Sequence, residues 1–303
     1  MSVRSADPER HDVPAATGSA GDTLHLVRVR GEGPPLLFLH GSTVPASVAF
    51  ATRLDGASML DLAAAAGFDA WCLDFRGFGR SYRPPRDGGP VTFTKDATED
   101  VRRAIDHLRR VTGAARVHLV GWSWGATVAG RYAVENAADL DRLVLVAPQW
   151  LRDTPSPLLR DPSVLDEAYR VVRPDALVER WTATLPPPTR AALIADGWVE
   201  TFRAALADPA SGAHESPNGS LVEIARNWSS GIPVWDPARL TTPVTVVVGD
   251  ADVETPPRTV RGLLAALAGH PDMRYVEVAG ATHFLPVEPA RRVLLAAVVD
   301  RLR

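Results

Sequence analysis

Gly121-Trp122-Ser123-Trp124-Gly125 constrains this chain more than any other stretch. It follows the apolar run Val117 to Val120 directly and runs into a helix-like stretch from Ala126 to Asn136, so a strand enters a sharp turn and the turn opens a helix. In such a turn the central serine is held in a strained backbone conformation and its hydroxyl stands clear of the sheet edge. Glycine at both outer positions suits the close approach of strand and helix backbones. The helix directs free N–H groups and the positive end of its dipole at any oxyanion that forms beside Ser123. Ser123 is therefore a candidate nucleophile. A glycine-rich loop with a surface serine leaves the apolar strand and the small-residue helix on its flanks unexplained.

The rest of the chain repeats this rhythm. Leu24 to Arg30 alternates apolar and polar side chains and predicts a half-exposed antiparallel strand at a sheet edge. Leu36 to Leu39, Ala70 to Phe75, Leu143 to Val146, Val244 to Val248 and Met273 to Val278 read as further strands. Helical patterns separate them at Met59 to Ala66, Thr94 to Val111 and Thr259 to Ala268, and Pro289 to Leu302 closes the chain. Short apolar strands alternating with helices predict an α/β fold, a mostly parallel sheet with helices on both faces, and ligands bound beyond the carboxyl ends of the strands.

Between residues 148 and 240 the pattern changes. No strand-like run is evident there, and helix-like segments at Ser163 to Val172, Asp175 to Leu185, Arg190 to Ala207 and Ser220 to Ser229 are broken by Pro186-Pro187-Pro188 and by a loop from Asp208 to Gly219. Five of the eight tryptophans (Trp150, Trp181, Trp198, Trp228 and Trp235) fall in this stretch. The expected organisation is a loose tail over 1–23, a core domain over 24–147 and 241–303, and a helical cap over 148–240.

Composition excludes several classes. In 303 residues the net charge is -3, and the 33 basic residues form no run that would make a nucleic-acid stripe. The polar, Ala- and Pro-containing first residues lack the apolar core of a signal peptide, and no stretch reaches the roughly 18 apolar residues of a membrane span. The single cysteine, Cys72, rules out an internal disulfide, fits a reducing compartment, and reads as a buried inert thiol within a strand. A cytoplasmic enzyme acting on a small molecule is expected, with no nucleic-acid or membrane partner. No clustered metal-ligand spacing and no phosphate-cradling glycine loop calls for a metal or a cofactor.

A serine hydroxyl attacks at neutral pH only if an imidazole removes its proton, and a carboxylate must then hold the other ring nitrogen. Of the eight histidines, His283 alone lies on a loop after the last strand, in Gly280-Ala281-Thr282-His283-Phe284. His107 and His118 lie within a helix and a strand, and His214 reads as an exposed loop residue. Three carboxylates, Asp250, Asp252 and Glu254, follow the strand Val244 to Val248, and the residues alone leave open which of them acts. Asp250 is expected to cap its own turn.

With these motifs present the chain resembles the α/β-hydrolase superfamily from about Leu24 to Leu302, in its serine-nucleophile branch with a helical cap. The order serine, acid, histidine is that superfamily's order. The resemblance implies Ser123 as nucleophile, Asp252 as acid and His283 as base, with backbone N–H groups of Ser42 and Trp124 forming an oxyanion hole. It also implies that His40 supports the loop carrying the oxyanion donor. Substrate contacts are expected from His40, Trp122, Trp150 and Phe284. Haloalkane dehalogenases and epoxide hydrolases of this fold use an aspartate nucleophile, which Ser123 is not. Ser123-Trp124-Gly125 is similar to prolyl aminopeptidases, which carry Gly-Gly-Pro-Gly where this chain has Gly41-Ser42-Thr43-Val44; an acidic cap residue such as Glu167, Glu179, Glu200 or Glu223 is what would hold a substrate amine. The implied activity is hydrolysis of an ester, thioester or lactone of a mostly apolar molecule. Carbon–carbon bond hydrolysis, acyl-transferring cyclisation, a peptidase and a non-catalytic ligand receptor are the alternatives.

Overall fold

The computed structural model describes residues 7–19, 21–152, 159, 165–208 and 211–302. In chain order the strands are β1 (Glu9–Pro14), β2 (Thr23–Val29), β3 (Pro35–Leu39), β4 (Asp69–Leu73), β5 (Val117–Trp122), β6 (Leu140–Val146), β7 (Tyr169–Val172), β8 (His214–Pro217), β9 (Val244–Gly249) and β10 (Met273–Val278). The helices are α1 (Ala46–Ala49), α2 (Met59–Ala65), α3 (Thr94–Thr112), α4 (Trp124–Glu135), α5 (Pro174–Ala183), α6 (Pro187–Ala195), α7 (Trp198–Leu206), α8 (Gly219–Arg226), α9 (Pro257–Ala266) and α10 (Arg291–Leu302).

Eight strands form one sheet in the order β1-β2-β4-β3-β5-β6-β9-β10. β1 and β2 are antiparallel to their neighbours, and from β4 to β10 every pairing is parallel. Side chains alternate between two cores, which is why the central strands read as unbroken apolar runs. Phe38, Val120, Val144 and Val247 pack with α2 and α10, whereas Leu37, Leu119, Leu143 and Val246 pack with α3, α4 and α9. Each such side chain stabilises the fold by about 1.5–3 kcal/mol. Cys72 belongs to the first core, and burial pushes its thiol well above the usual range, as expected of an inert residue. The strand order reverses between β3 and β5, whose carboxyl ends therefore frame a crevice. His40-Gly41-Ser42 and Ser123 lie at those ends.

The residues expected as a loose tail include a strand. β1 pairs with β2 from Glu9 opposite Arg28 to Pro14 opposite Thr23, so β2 is not at the edge, and all of it but Thr23 is buried. β1 is polar because it rests on ladder bonds and cross-strand charges rather than on an apolar face. Arg28 and Arg30 both reach Glu9, and His25 lies 3.1 Å from Asp12. The buried Arg28 also grips Asp69 at 2.8 and 3.0 Å, which is how a polar side chain survives inside the sheet.

The segment between β6 and β9 contains an antiparallel pair where none was expected. β7 pairs with β8, Tyr169 opposite Pro217 and Val172 opposite His214. Tyr169–Val172 is thus a strand rather than the end of a helix, and His214–Pro217 a strand rather than part of a loop; residues 163–164 of that expected helix and 209–210 of that expected loop lie outside the described residues. The two strands are far apart in sequence, so no hairpin turn announces them. The expected helix from Arg190 to Ala207 is two, α6 and α7, parted at Gly197 with φ +68°. Pro187 occupies the first turn of α6, where its missing N–H costs nothing.

Candidate active site

β5 delivers Ser123 into the turn at φ 59° and ψ −122°, a region only a well-determined fold retains. The glycines on either side leave no alternative residue. A Cβ on Gly121 would lie 2.3 Å from the Gly125 carbonyl oxygen, and one on Gly125 would lie 2.4 Å from that of His40. The strained residue is held by its N–H, which donates to Val146 O at 2.8 Å, and by its carbonyl, which accepts from Ala126 N at 3.0 Å.

The loop after β10 brings His283 to this turn. Its Nε2 lies 2.9 Å from Ser123 Oγ, and its Nδ1 lies 2.9 Å from Asp252 Oδ2. The main chain of the loop is pinned from two sides: Trp122 Nε1 donates to His283 O at 2.8 Å, and Thr282 N donates to Glu288 at 3.0 Å. Asp252 accepts from Glu254 N and Thr255 N at 2.8 Å each and from Thr255 Oγ1 at 2.7 Å. Asp250 is turned away; instead of capping its own turn, it accepts from Gly280 N at 2.7 Å.

Burial works against charge on both partners of this pair, and their mutual attraction overrides it. Burial disfavours the His283 imidazolium, but Asp252 and Glu254 beside it raise the ring above its ordinary pKa. Burial likewise opposes the Asp252 carboxylate, but His283 and Thr255 hold it below the usual range. An Nδ1–H donated to Asp252 leaves Nε2 as acceptor for the Ser123 hydroxyl, the tautomer that proton removal requires.

Trp124 is the first residue of α4, so its N–H has no carbonyl four residues back to bond to. Its indole enters the core, donating to Thr94 Oγ1 at 3.0 Å; Thr94 in turn donates to Glu223 of α8. Ser42 follows the β3 end, and its loop is braced by the β7–β8 pair. Arg170 donates to Ser42 O and to Thr43 Oγ1, and Thr43 O accepts from His214 Nε2 at 2.6 Å and Ser216 Oγ at 2.9 Å. His214, expected as an exposed loop residue, is thus half-buried in a strand.

Two expected substrate contacts lie elsewhere. His40 is fully buried, its Nδ1 donating to Gly41 O at 2.6 Å and its Nε2 accepting from Phe75 N at 3.1 Å, and burial lowers the ring to about 4. With both nitrogens taken by main chain it supports the 41–44 loop, as expected, and has no atom free for a substrate. Trp150 packs beside Gly262 of α9. Trp122 and Phe284 do line the cavity beside Ser123, a space of about 20 Å³ completed by residues 41–44, His283, Arg180 and Glu254. Arg180, from α5, was not foreseen, since its place depends on packing. Its Nε lies 3.3 Å from Glu254 Oε1.

A family model described as "alpha/beta hydrolase fold" matches residues 34–290. The chain belongs to that family. A curated member-like relative, "Epoxide hydrolase 2" of Siraitia grosvenorii, is 30% identical over 137 residues, 45% of this chain and 39% of that protein, so the match spans well under half of the relative's length. Two solved structures superpose over nearly the full chain. An epoxide hydrolase from Vigna radiata has TM-score 0.68 and 20% identity, covering 97% of each chain. A thermophilic esterase from Thermogutta terrifontis has TM-score 0.65 and 21% identity, covering 96% of this chain and 97% of its own. At that identity the superpositions speak to the fold.

Proposed function

We propose that this α/β-hydrolase cleaves an ester, thioester or lactone through an acyl-enzyme on Ser123. The observation that carries the reading is the unbroken chain Ser123 Oγ, His283, Asp252, with 2.9 Å at each link, set at the carboxyl ends of β5, β9 and β10. His283 Nε2 takes the hydroxyl proton as Oγ attacks the carbonyl carbon, the backbone N–H groups of Ser42 and Trp124 receive the oxyanion, and Nε2 then protonates the leaving group. Water enters, gives a proton to Nε2 and attacks the acyl carbon, and the proton returns to Ser123 as the acid departs.

Residues 148–240 serve in this reading as a cap. α5 contributes Arg180 to the cavity lining, and in this reading a substrate larger than the cavity is admitted by outward movement of α5. The peptidase alternative loses support, because Glu167, Glu179 and Glu200 do not line the cavity and Glu223 is buried against Thr94. Epoxide opening, the activity in the names of two relatives, is disfavoured by a hydroxyl rather than a carboxylate at the nucleophile position. Among the described residues no helix is long and apolar enough to cross a membrane, and a cytoplasmic location remains part of this proposal.

The test is labelling with a fluorophosphonate, with the adduct mapped by mass spectrometry, beside nitrophenyl esters of increasing chain length. A single adduct on Ser123 with ester turnover is the expected result. A folded protein that forms no adduct and turns over no ester would sink the reading.

A further inference from the structure

Glu254 stands on the substrate side of the histidine, where the proposed chemistry leaves one component unplaced. Its Oε2 lies 3.7 Å from His283 Nε2, the same nitrogen that holds Ser123 Oγ at 2.9 Å. That is too far for a direct hydrogen bond, but less than twice an ordinary hydrogen-bond length of about 2.8 Å, so one water reaches both atoms. The cavity bounded by Ser123, His283 and Glu254 has about 20 Å³ of free volume, the scale of a single water site. The residue is held by its backbone, whose N–H donates to Asp252 at 2.8 Å and whose carbonyl accepts from Arg152 at 2.9 Å, and its side chain pairs with a cation, Oε1 lying 3.3 Å from Arg180 Nε. Beyond the negative charge it adds beside His283, a buried carboxylate here, with one oxygen toward a cation and the other toward the base, is assigned no contact in the acylation step described above.

We propose that Glu254 is a further catalytic residue that holds the hydrolytic water in the second half of the reaction, with Arg180 as the positioning residue that keeps its carboxylate there. The inference rests on the acyl-enzyme reading above. One water O–H gives its proton to His283 Nε2 while the oxygen forms its bond to the acyl carbon; Nε2 then returns that proton to Ser123 Oγ as the bond from the acyl carbon to Oγ breaks. The other O–H donates to Glu254 Oε2 throughout and leaves with the product as the hydroxyl of the carboxylic acid, so Glu254 gains and loses no proton. Held this way the water approaches with its lone pair toward the acyl carbon, and the acyl-enzyme is committed to hydrolysis over transfer to another alcohol.

The experiment separates the two half-reactions of a nitrophenyl ester in the full-length protein. Acylation is read as nitrophenolate release in a single turnover, deacylation as loss of acyl mass from the Ser123 peptide, and partition as the ratio of methyl ester to acid in added methanol. For Glu254→Ala the expected result is acylation within about three-fold of wild type, deacylation slowed about ten-fold or more, and a raised methyl ester share. Glu254→Gln is expected to recover most of the deacylation rate, because the amide oxygen accepts the same water hydrogen while carrying no charge to pair with Arg180. Equal slowing of both steps, wild-type deacylation in Glu254→Ala, or failure of Glu254→Gln to recover would overturn the proposal and leave Glu254 a structural ion-pair partner. Absence of any acyl mass on wild-type Ser123 would instead remove the acyl-enzyme reading itself.

Discussion

Trp181 of α5 donates its indole N–H to Glu288 Oε1 at 2.9 Å, and the other oxygen of the same carboxylate accepts from Thr282 N, the residue before His283. One buried carboxylate thus ties the segment over the site to the histidine loop. Its neighbour on α5, Arg180, faces Glu254 on the acid loop. Two consecutive residues of one helix therefore grip both loops that carry the partners of Ser123.

Trp181→Phe removes the donor while keeping a ring for Phe202 and Phe284 to pack on. We expect a loss of about 1–2 kcal/mol in urea unfolding and faster amide exchange in α5. Turnover of long-chain nitrophenyl esters should rise relative to acetate, since α5 is freed to move. Unchanged exchange in α5 would contradict this account.

Ser123→Gly should abolish ester turnover and yet raise Tm. The residue sits at φ 59° and ψ −122°, where glycine is relieved of a strain of about 1–3 kcal/mol. Ser123→Ala should lose activity by about 10⁴-fold or more without that gain, because alanine keeps a Cβ. Scanning calorimetry of the two variants checks the difference.

The pH profile follows from His283. Its pKa is raised, and the base acts only when neutral, so the acid limb of kcat/KM should have its midpoint above the ordinary histidine value of about 6.5. Asp252→Asn should move that limb downward as well as lowering the rate. The same raised pKa contributes stability that is fully present below the unfolded value and is lost as pH rises through the folded one. Asp252, depressed, contributes stability present above its unfolded value and lost as pH falls through its folded one.

His40 has the opposite sign to His283. Its folded pKa is about 4, so the unfolded chain takes up a proton that the native ring refuses. Its contribution is fully present above about 6.5 and is lost as pH falls toward 4, on the order of 3 kcal/mol in all. The difference in unfolding free energy between wild type and His40→Asn should shrink across that window. A difference independent of pH would show that the ring is not held neutral.

Arg170→Leu should act on kcat more than on KM. The guanidinium holds Ser42 O and Thr43 Oγ1, and loosening that loop misplaces a donor needed when the oxyanion forms, at a cost of about ten-fold. A rise in KM with kcat intact would place Arg170 in ground-state binding instead.

The α/β architecture is legible because the central strands, buried on both faces, carry an apolar side chain at nearly every position; the edge strand Met273–Val278, mostly unburied, has the expected bounds although its pattern is weaker. Ser123 and His283 were legible because each sits at a strand end in a motif whose glycines have geometric reasons. β1 was missed because an edge strand stabilised by Arg28, Arg30 and His25 carries no apolar pattern. β7 and β8 were missed because their pairing is long-range.

Local chemistry therefore determined which residue types meet: a serine in a strained turn, a histidine after the last strand and a cluster of acids after β9. Tertiary structure decided which acid faces the imidazole, Asp252 rather than Asp250, because the direction of a carboxylate in a turn depends on partners such as Thr255 and Gly280. It alone put Arg180 and Arg170 around the site, turned Glu254 toward the cavity and withdrew His40 and Trp150 from it. Spacing along the chain sets where a backbone turns, whereas which side chains share a cavity is set by packing between elements that the sequence leaves far apart.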